Sequence, residues 1–257
     1  MPSIVVGVAR SPSAPAIAAV GDRLASAVGL ELMLVHATTG AEPCGELLEQ
    51  ADPRRGVGSR RSVAVGDPSD LLPRIAREND AALLVIGTGT YRPMRKLLHR
   101  GRANAVARAA PCPVVLVSPA AANRERSPQP AVASGIVCAI DGSPEARRVA
   151  EVAAALAAAT LQRLVLVHSP SASGQDPVEE LWFPHPGCEI ATRRVDARPS
   201  EWLEVIGAEE NAAVAVINGR ERRARSVGAW ASRPVVAVPP KAATEAIDTL
   251  TRLRSVA

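Results

Sequence analysis

Residues Ala82–Val117 decide the fold. They read ALLVIG (82–87), TGTYRPMRKLLHRG (88–101), RANAVARAA (102–110) and PCPVVLV (111–117). Leu83–Ile86 is a short apolar run closed by Gly87, the pattern of a strand buried on both faces. The stretch after it holds Gly87, Gly89, Pro93 and Gly101 and reads as a loop. Ala103–Ala109 reads as a helix, which Pro111 and Pro113 stop because proline cannot continue the hydrogen-bond ladder. Val114–Val117 is a second buried strand. Strand, glycine loop, helix, strand is a βαβ unit. A loop that leaves a strand and opens a helix presents backbone N–H groups that can cradle a phosphate.

Upstream, strands alternate with helices. Ile4–Val8 is an apolar strand, Ser13 offers an N-cap, and Ala16–Val28 reads as an Ala-rich helix with Gly21 as its weak point and Gly29 as its stop. Strands are expected at Glu31–His36 and Arg61–Val65, and helices at Gly45–Ala51 and Asp70–Glu78. Alternation of this kind predicts a parallel, doubly wound sheet.

Downstream, residues 119–134 (PAAANRERSPQPAVAS) lack bulky apolar side chains and read as a linker. The pattern then restarts. Ile136–Ile140 echoes Ile4–Val8, Glu145–Ala159 is again Ala-rich, and Leu164–His168 echoes Leu32–His36 with the same Val-His ending. Pro199-Ser-Glu-Trp-Leu echoes Pro68-Ser-Asp-Leu-Leu. Glu201–Ile206 reads as the helix before a strand at Val214–Ile217, and Arg233-Pro-Val-Val-Ala-Val parallels Cys112-Pro-Val-Val-Leu-Val. Several matched landmarks in the same order, about 120–130 residues apart, mean two copies of one fold. The expected division is 1–118, a linker at 119–134, 135–240, and a tail at 241–257. In the tail Ala243, Ile247, Leu250 and Leu253 fall at helical spacing.

Composition agrees with this class. The chain has 257 residues, 47% hydrophobic but only 2% aromatic, so its cores must be built from Ala, Val, Leu and Ile. The net charge of +4 is carried almost wholly by arginine, with lysine only at Lys96 and Lys241. That balance does not argue for nucleic acid as a partner. Cys44, Cys112, Cys138 and Cys188 show neither CxxC nor metal spacing, and Cys112 and Cys138 lie in or beside apolar strand segments, which suits buried thiols; a reducing, cytoplasmic setting fits. The N-terminus lacks the pattern of a signal peptide, and no apolar run reaches the length of a membrane span.

The organisation resembles the universal stress protein family. Members carry Gly-x2-Gly-x9-Gly followed by Ser, Thr or Asn, then a helix, then a Pro-Cys-Pro-Val-like start to the last strand. Ala110–Val117 (APCPVVLV) matches that ending. Counting from Gly87, Thr90 stands at the second glycine, Arg100 at the third and Gly101 at the Ser/Thr position, while Gly89 and Gly101 are each one residue out of place. The resemblance implies a tandem member with two five-stranded, Rossmann-like α/β sheets, strand order 3-2-1-4-5 in each. It implies pairing of the two copies through Val114–Val117 and Val235–Val238, which also covers two apolar edges. A further homodimer or protein partner stays open.

For function, the resemblance implies a bacterial stress-response or regulatory protein that binds ATP, with candidate contacts at Gly87, Gly89, Thr90, Arg100 and Gly101. In relatives an aspartate after the first strand helps hold the adenosine part. Asp141 matches that position in the second copy, but Ala9 occupies it in the first. The second copy in turn shortens the loop: Asn218 to Pro234 spans sixteen steps where Gly87 to Pro113 spans twenty-six. Each copy thus lacks a different part, and weakened or lost nucleotide binding is expected. Asp141 also reads as a helix cap in Asp-Gly-Ser-Pro. Arg92, Arg95, Lys96, Arg100 and Arg102 surround the glycine loop and could meet phosphate or solvent. The basic run Arg220–Arg225 reads as a solvated loop. The irregular segment 169–188, with Trp182 and Phe183, leaves a protein-binding scaffold as a further reading. No nucleophile elbow, Walker loop or HExxH is present, so no enzyme is expected beyond slow ATP hydrolysis.

Overall fold

Val, Ile and Leu runs make the strands, and Ala-rich segments make thin helices that lie close on them. In the computed structural model, residues 2–40, 45–89, 96–126, 135–169, 178, 188–196, 198–219, 231–240, 242, 246 and 248–250 are described. The first half runs β1 (Ser3–Gly7), α1 (Ala14–Val28), β2 (Glu31–Thr38), α2 (Gly45–Ala51), β3 (Ser59–Val65), α3 (Pro68–Glu78), β4 (Ala81–Gly87), α4 (Lys96–Ala109) and β5 (Val114–Val117). A short helix α5 (Pro119–Glu125) follows. The second half runs β6 (Gly135–Ile140), α6 (Ala146–Ala159), β7 (Arg163–His168), β8 (Ile190–Arg194), α7 (Pro199–Glu209), β9 (Ala212–Asn218) and β10 (Val235–Val238).

The strands form one ten-stranded sheet in the order β3-β2-β1-β4-β5-β10-β9-β6-β7-β8. Each half has the order 3-2-1-4-5, all parallel. The halves meet where β10 runs antiparallel to β5, with Val235 opposite Leu116, Val236 opposite Val115 and Ala237 opposite Val114. The repeat extends to small irregularities. The register shifts by one residue between Ser3 and Ile4 on β4, and again between Gly135 and Ile136 on β9. Asp80 and Asn211, each just before the matching strand, both have φ of 46°, a conformation their short polar side chains tolerate.

Two apolar layers cover the sheet. α1 and α6 lie on one face with Ile4, Val6, Leu32 and Ile136, and α3, α4 and α7 lie on the other with Val5, Leu84, Val137 and Ile217. Cys112 and Cys138 are buried here, and burial pushes the Cys112 thiol up to about 12 and the Cys138 thiol higher still. Neither is poised to react.

Several expectations change. α5 occupies the start of the stretch whose composition predicts a linker. Small residues there are packing residues: Ala121 and Ala122 are buried against the first layer. Ser118 accepts from Ala121 N at 3.0 Å as the cap, and its hydroxyl donates to Ala231 O at 2.5 Å. α5 is thereby tied to the second half, while the pair of Glu125 with Arg23 ties it to α1 in the first. Helix α4 begins at Lys96, not Ala103, so Gly101 sits inside a helix. Lys, Leu and Arg favour helix strongly enough to carry one glycine, whose cost is about 1 kcal/mol. Ser13 stands at the N-cap of α1 but its side chain makes no cap bond. β8 had no counterpart in the sequence reading. Its exposed, arginine-ending sequence IATRR is that of an edge strand, where alternation is weak. Of the tail residues named above, Leu250 is described and buried, while Ala243, Ile247 and Leu253 fall outside the described residues. So do Trp182, Phe183 and the run Arg220–Arg225.

Between α2 and β3 the chain turns around one carboxylate. The Asp52 side chain is fully buried. It accepts from Arg54 N at 2.9 Å, Gly56 N at 2.8 Å and Ser59 Oγ at 2.6 Å. Burial pushes its pKa up, but the bonds from Ser59, Arg54 and Gly56 and the Arg61 guanidinium outweigh that and hold it below the usual value. A depressed folded pKa means the stabilisation is present above the unfolded value of about 4 and is lost as pH falls through the folded one. Asp52→Ala should therefore cost about 1–3 kcal/mol at neutral pH, read from urea unfolding. The gap to the parent should close in strong acid. Equal urea midpoints at pH 7 would remove this role for Asp52.

Candidate functional site

In a doubly wound sheet, ligands bind beyond the carboxyl ends of the strands, where the strand order reverses. In the first half that place lies between β1 and β4, and a cavity of about 430 Å³ opens there. The size suits a small organic ligand. Two glycines make its floor. A Cβ on Gly7 would stand 2.9 Å from Leu72 Cδ1, and one on Gly87 would stand 2.7 Å from Ile17 Cδ1. The close approach leaves no room for larger residues without moving the wall.

Each strand end then contributes to the wall. The turn after β1 brings Ala9, Arg10 and Ser11, held by Ser11 N donating to Ala9 O at 2.8 Å. The end of β2 brings His36, Thr38 and Thr39. His36 is buried, and its Nδ1 lies 2.7 Å from Val8 O. A carbonyl only accepts, so Nδ1 carries the proton and Nε2 is the ring nitrogen left for a ligand. α3 adds Pro68 and Leu72 from its first turns, positioned by the Asp67 cap, whose carboxylate accepts from Ser69 N at 2.8 Å. That bond, ahead of the Arg102 guanidinium, holds the Asp67 carboxyl below its usual pKa. α4 adds Arg102, Ala103 and Val106. The result has an apolar floor with hydroxyls, one imidazole and two guanidiniums around it.

Of the residues predicted from sequence, Gly87 and Gly89 line this cavity. Gly101 lies on α4, exposed, with nothing within 4 Å of a Cβ built on it, and so is not part of a phosphate-cradling loop. Arg100 lies in the same helix, its side chain outside the described residues, as is the whole of Thr90. Asp141 belongs to the other half and does not reach the cavity. Its Oδ1 accepts from Ser143 N at 3.1 Å, and its Oδ2 from Asn218 Nδ2 at 3.1 Å. Asn218 Nδ2 also donates to Ser143 Oγ at 3.0 Å. Asn218 stands where the first half has Gly87, and is buried. Thus the aspartate is engaged by its own turn and by the side chain that replaces the glycine.

Sequence reasoning missed His36, Thr38 and Thr39 as cavity residues. The available signal was topological: they stand at the end of β2, the strand beside β1 and next to the order reversal.

Residues 40–118 match the model of the Universal stress protein family. Among solved structures, a universal stress protein from Archaeoglobus fulgidus DSM 4304 is 15% identical over 92% of this chain and 98% of its own, with a TM-score of 0.66. A functionally unknown protein from Pseudomonas aeruginosa PAO1 is 16% identical over 99% of this chain and 97% of its own, with a TM-score of 0.60. A universal stress protein solved in complex with cAMP is 28% identical over 44% of this chain and 92% of its own, with a TM-score of 0.38. No curated protein matches the chain. Among the described residues no helix is long and apolar enough to cross a membrane. The family match thus falls within the first half, and the second half repeats the first half's strand order.

Proposed function

We propose that this chain is a cytoplasmic stress-response regulator that binds one adenine nucleotide, weakly, in its first half, and acts as a binder rather than an enzyme. The observation that carries the reading is the contrast between the halves. The first keeps an open cavity over Gly7 and Gly87 with cations at its wall. The second has Asn218 bonded to Asp141 and Ser143 at the matching place. Weak binding follows from Ala9, whose methyl group cannot accept a bond from a ribose or a base. The two halves act as a built-in pair joined through β5 and β10.

Calorimetry with ATP and AMP tests this. One site per chain is expected, with a dissociation constant toward about 1 mM, or roughly −4 kcal/mol. Ala9→Asp should tighten it about tenfold by restoring a charged acceptor. Asp141→Ala should leave the stoichiometry unchanged. Two sites per chain, or loss of binding in Asp141→Ala, would overturn the assignment to the first half.

A further inference from the structure

What a buried imidazole recognises depends on which ring nitrogen carries the proton. At His36 the backbone decides it. Val8 stands just past β1 and is clamped to β2: its N–H donates to Val35 O at 2.8 Å, and its carbonyl oxygen lies 2.7 Å from His36 Nδ1. The proton therefore sits on Nδ1, and Val8 cannot turn away to release it without losing its own bond to the strand. In the neutral ring this fixes Nε2 as an acceptor. Nε2 makes no hydrogen bond among the described residues and is not sealed in by them, and His36 lines the cavity, so the cavity is what Nε2 faces. Thr38, the next polar side chain on β2, is already engaged: its hydroxyl donates to Gly40 O at 3.1 Å and accepts from Gly40 N at 3.2 Å.

We propose that His36 is the residue by which this site tells one purine from another: its Nε2 accepts from the 6-amino group of adenine and turns away a 6-oxo purine. This rests on the single-site reading above. The sheet order sets which end of the ligand meets His36. β2 and β4 flank β1, so at the usual spacing of neighbouring strands their ends stand about 10 Å apart. Gly87 and Gly89 line the cavity at the end of β4, where glycines leave room for a phosphate against the backbone. A nucleoside monophosphate seated there lies across β1 and carries its base to the end of β2, against the apolar wall of Ile17 and Leu72. Adenine then presents a donor to Nε2. A 6-oxo purine presents an acceptor to an acceptor, and the ring cannot answer by moving its proton, because Val8 O holds it on Nδ1.

The test is calorimetry of the full chain with AMP, IMP and 2′-deoxy-AMP in mildly alkaline solution, where imidazole is neutral. AMP is expected to bind about tenfold or more tightly than IMP, and 2′-deoxy-AMP to stay within about twofold of AMP, since no ribose hydroxyl is read by His36. His36→Met should bring AMP down to the affinity of IMP, so that the ratio of the two falls toward one. A merely structural histidine would weaken both nucleotides together and leave their ratio as in the parent, which would overturn the proposal. The thermal midpoint of the variant checks that it folds. Nitrogen-15 NMR of the parent needs no variant: the His36 Nε2 resonance should shift with AMP and not with IMP, and an Nε2 that does not respond to saturating AMP would overturn the contact. Equal binding of AMP and IMP by the parent, or a loss with 2′-deoxy-AMP in place of one with IMP, would overturn His36 as the reader of the base and leave the nucleotide site standing. Absence of saturable binding by any of the three would overturn the nucleotide reading itself, and this inference with it.

Discussion

Glu204→Ala should lower the stability of the fold by about 2–3 kcal/mol, toward the low end for breaking a buried ion pair because Glu204 keeps some exposure. Its partner, Arg233, is 2% exposed and among the largest fully buried side chains. Arg233 Nη1 donates to Ala212 O at 3.1 Å and Nη2 to Ser232 Oγ at 3.3 Å, while Nε lies 3.8 Å from Glu204 Oε1. Burial lowers the Arg233 pKa, and the Glu204 charge opposes that. Glu204 also accepts from Ser232 N at 3.1 Å and Ser232 Oγ at 2.7 Å. Removing its carboxylate leaves a buried cation with no charge partner on this side and two donors unmatched. A fall in Tm of about 5–10 °C is expected for a chain of this size. The double variant Glu204→Ala, Arg233→Met should recover most of it, since an apolar side chain of similar volume does not need the carboxylate. A single variant within about 0.5 kcal/mol of the parent, or a double variant less stable than the single, would show that Glu204 does not balance the buried charge.

The same constellation explains why the second copy is harder to read than the first. Arg233 stands where the first half has Cys112, and Gly207 stands where it has Ala76. A Cβ on Gly207 would lie 2.6 Å from Arg233 Nη1, so the glycine is the space that the guanidinium fills. In sequence, Arg233 before a proline and Gly207 within a helix both look like surface or breaker residues. Only their proximity shows that one compensates the other. Strands were legible for the converse reason. Leu83–Ile86, Ile136–Ile140 and Val235–Val238 are buried on both faces, so each is a continuous apolar run that needs no partner to be recognised. β8, on the edge, carries no such run and was missed. The site was legible only in part. Gly87 and Gly89 announce a close approach after a strand, but His36 and Thr38 come from a neighbouring strand, and their convergence is a property of the sheet order. Gly101 misled because a glycine's freedom was read as a loop, whereas here it is carried by the helix around it.

Gly21 corrects a similar reading, and its replacement is the second large expected effect. By propensity, Gly21→Ala should strengthen α1 by up to about 1 kcal/mol. Instead a net loss of about 1–3 kcal/mol is expected. A Cβ at this position would lie 2.4 Å from Val6 Cγ2. Val6 is fully buried in β1, and its branched Cβ leaves it few rotamers with which to give way. The helix must move off the strand instead. Gly21 is thus what lets an Ala-rich helix lie close on the sheet. The displacement should reach the site as well, because Ile17, one turn earlier on α1, lines the cavity and faces Gly87. Gly21→Ala is therefore expected to lower the urea midpoint and weaken nucleotide binding together, although residue 21 does not line the cavity. Gly29→Ala is the control. It would be strained by its φ of 68° but has nothing within 4 Å of a Cβ. It should cost stability by fraying the end of α1 while leaving binding near that of the parent. If Gly21→Ala proved as stable as the parent, the spacing of α1 over β1 would not depend on this glycine. If instead it lost stability but bound nucleotide normally, α1 would not couple the core to the cavity.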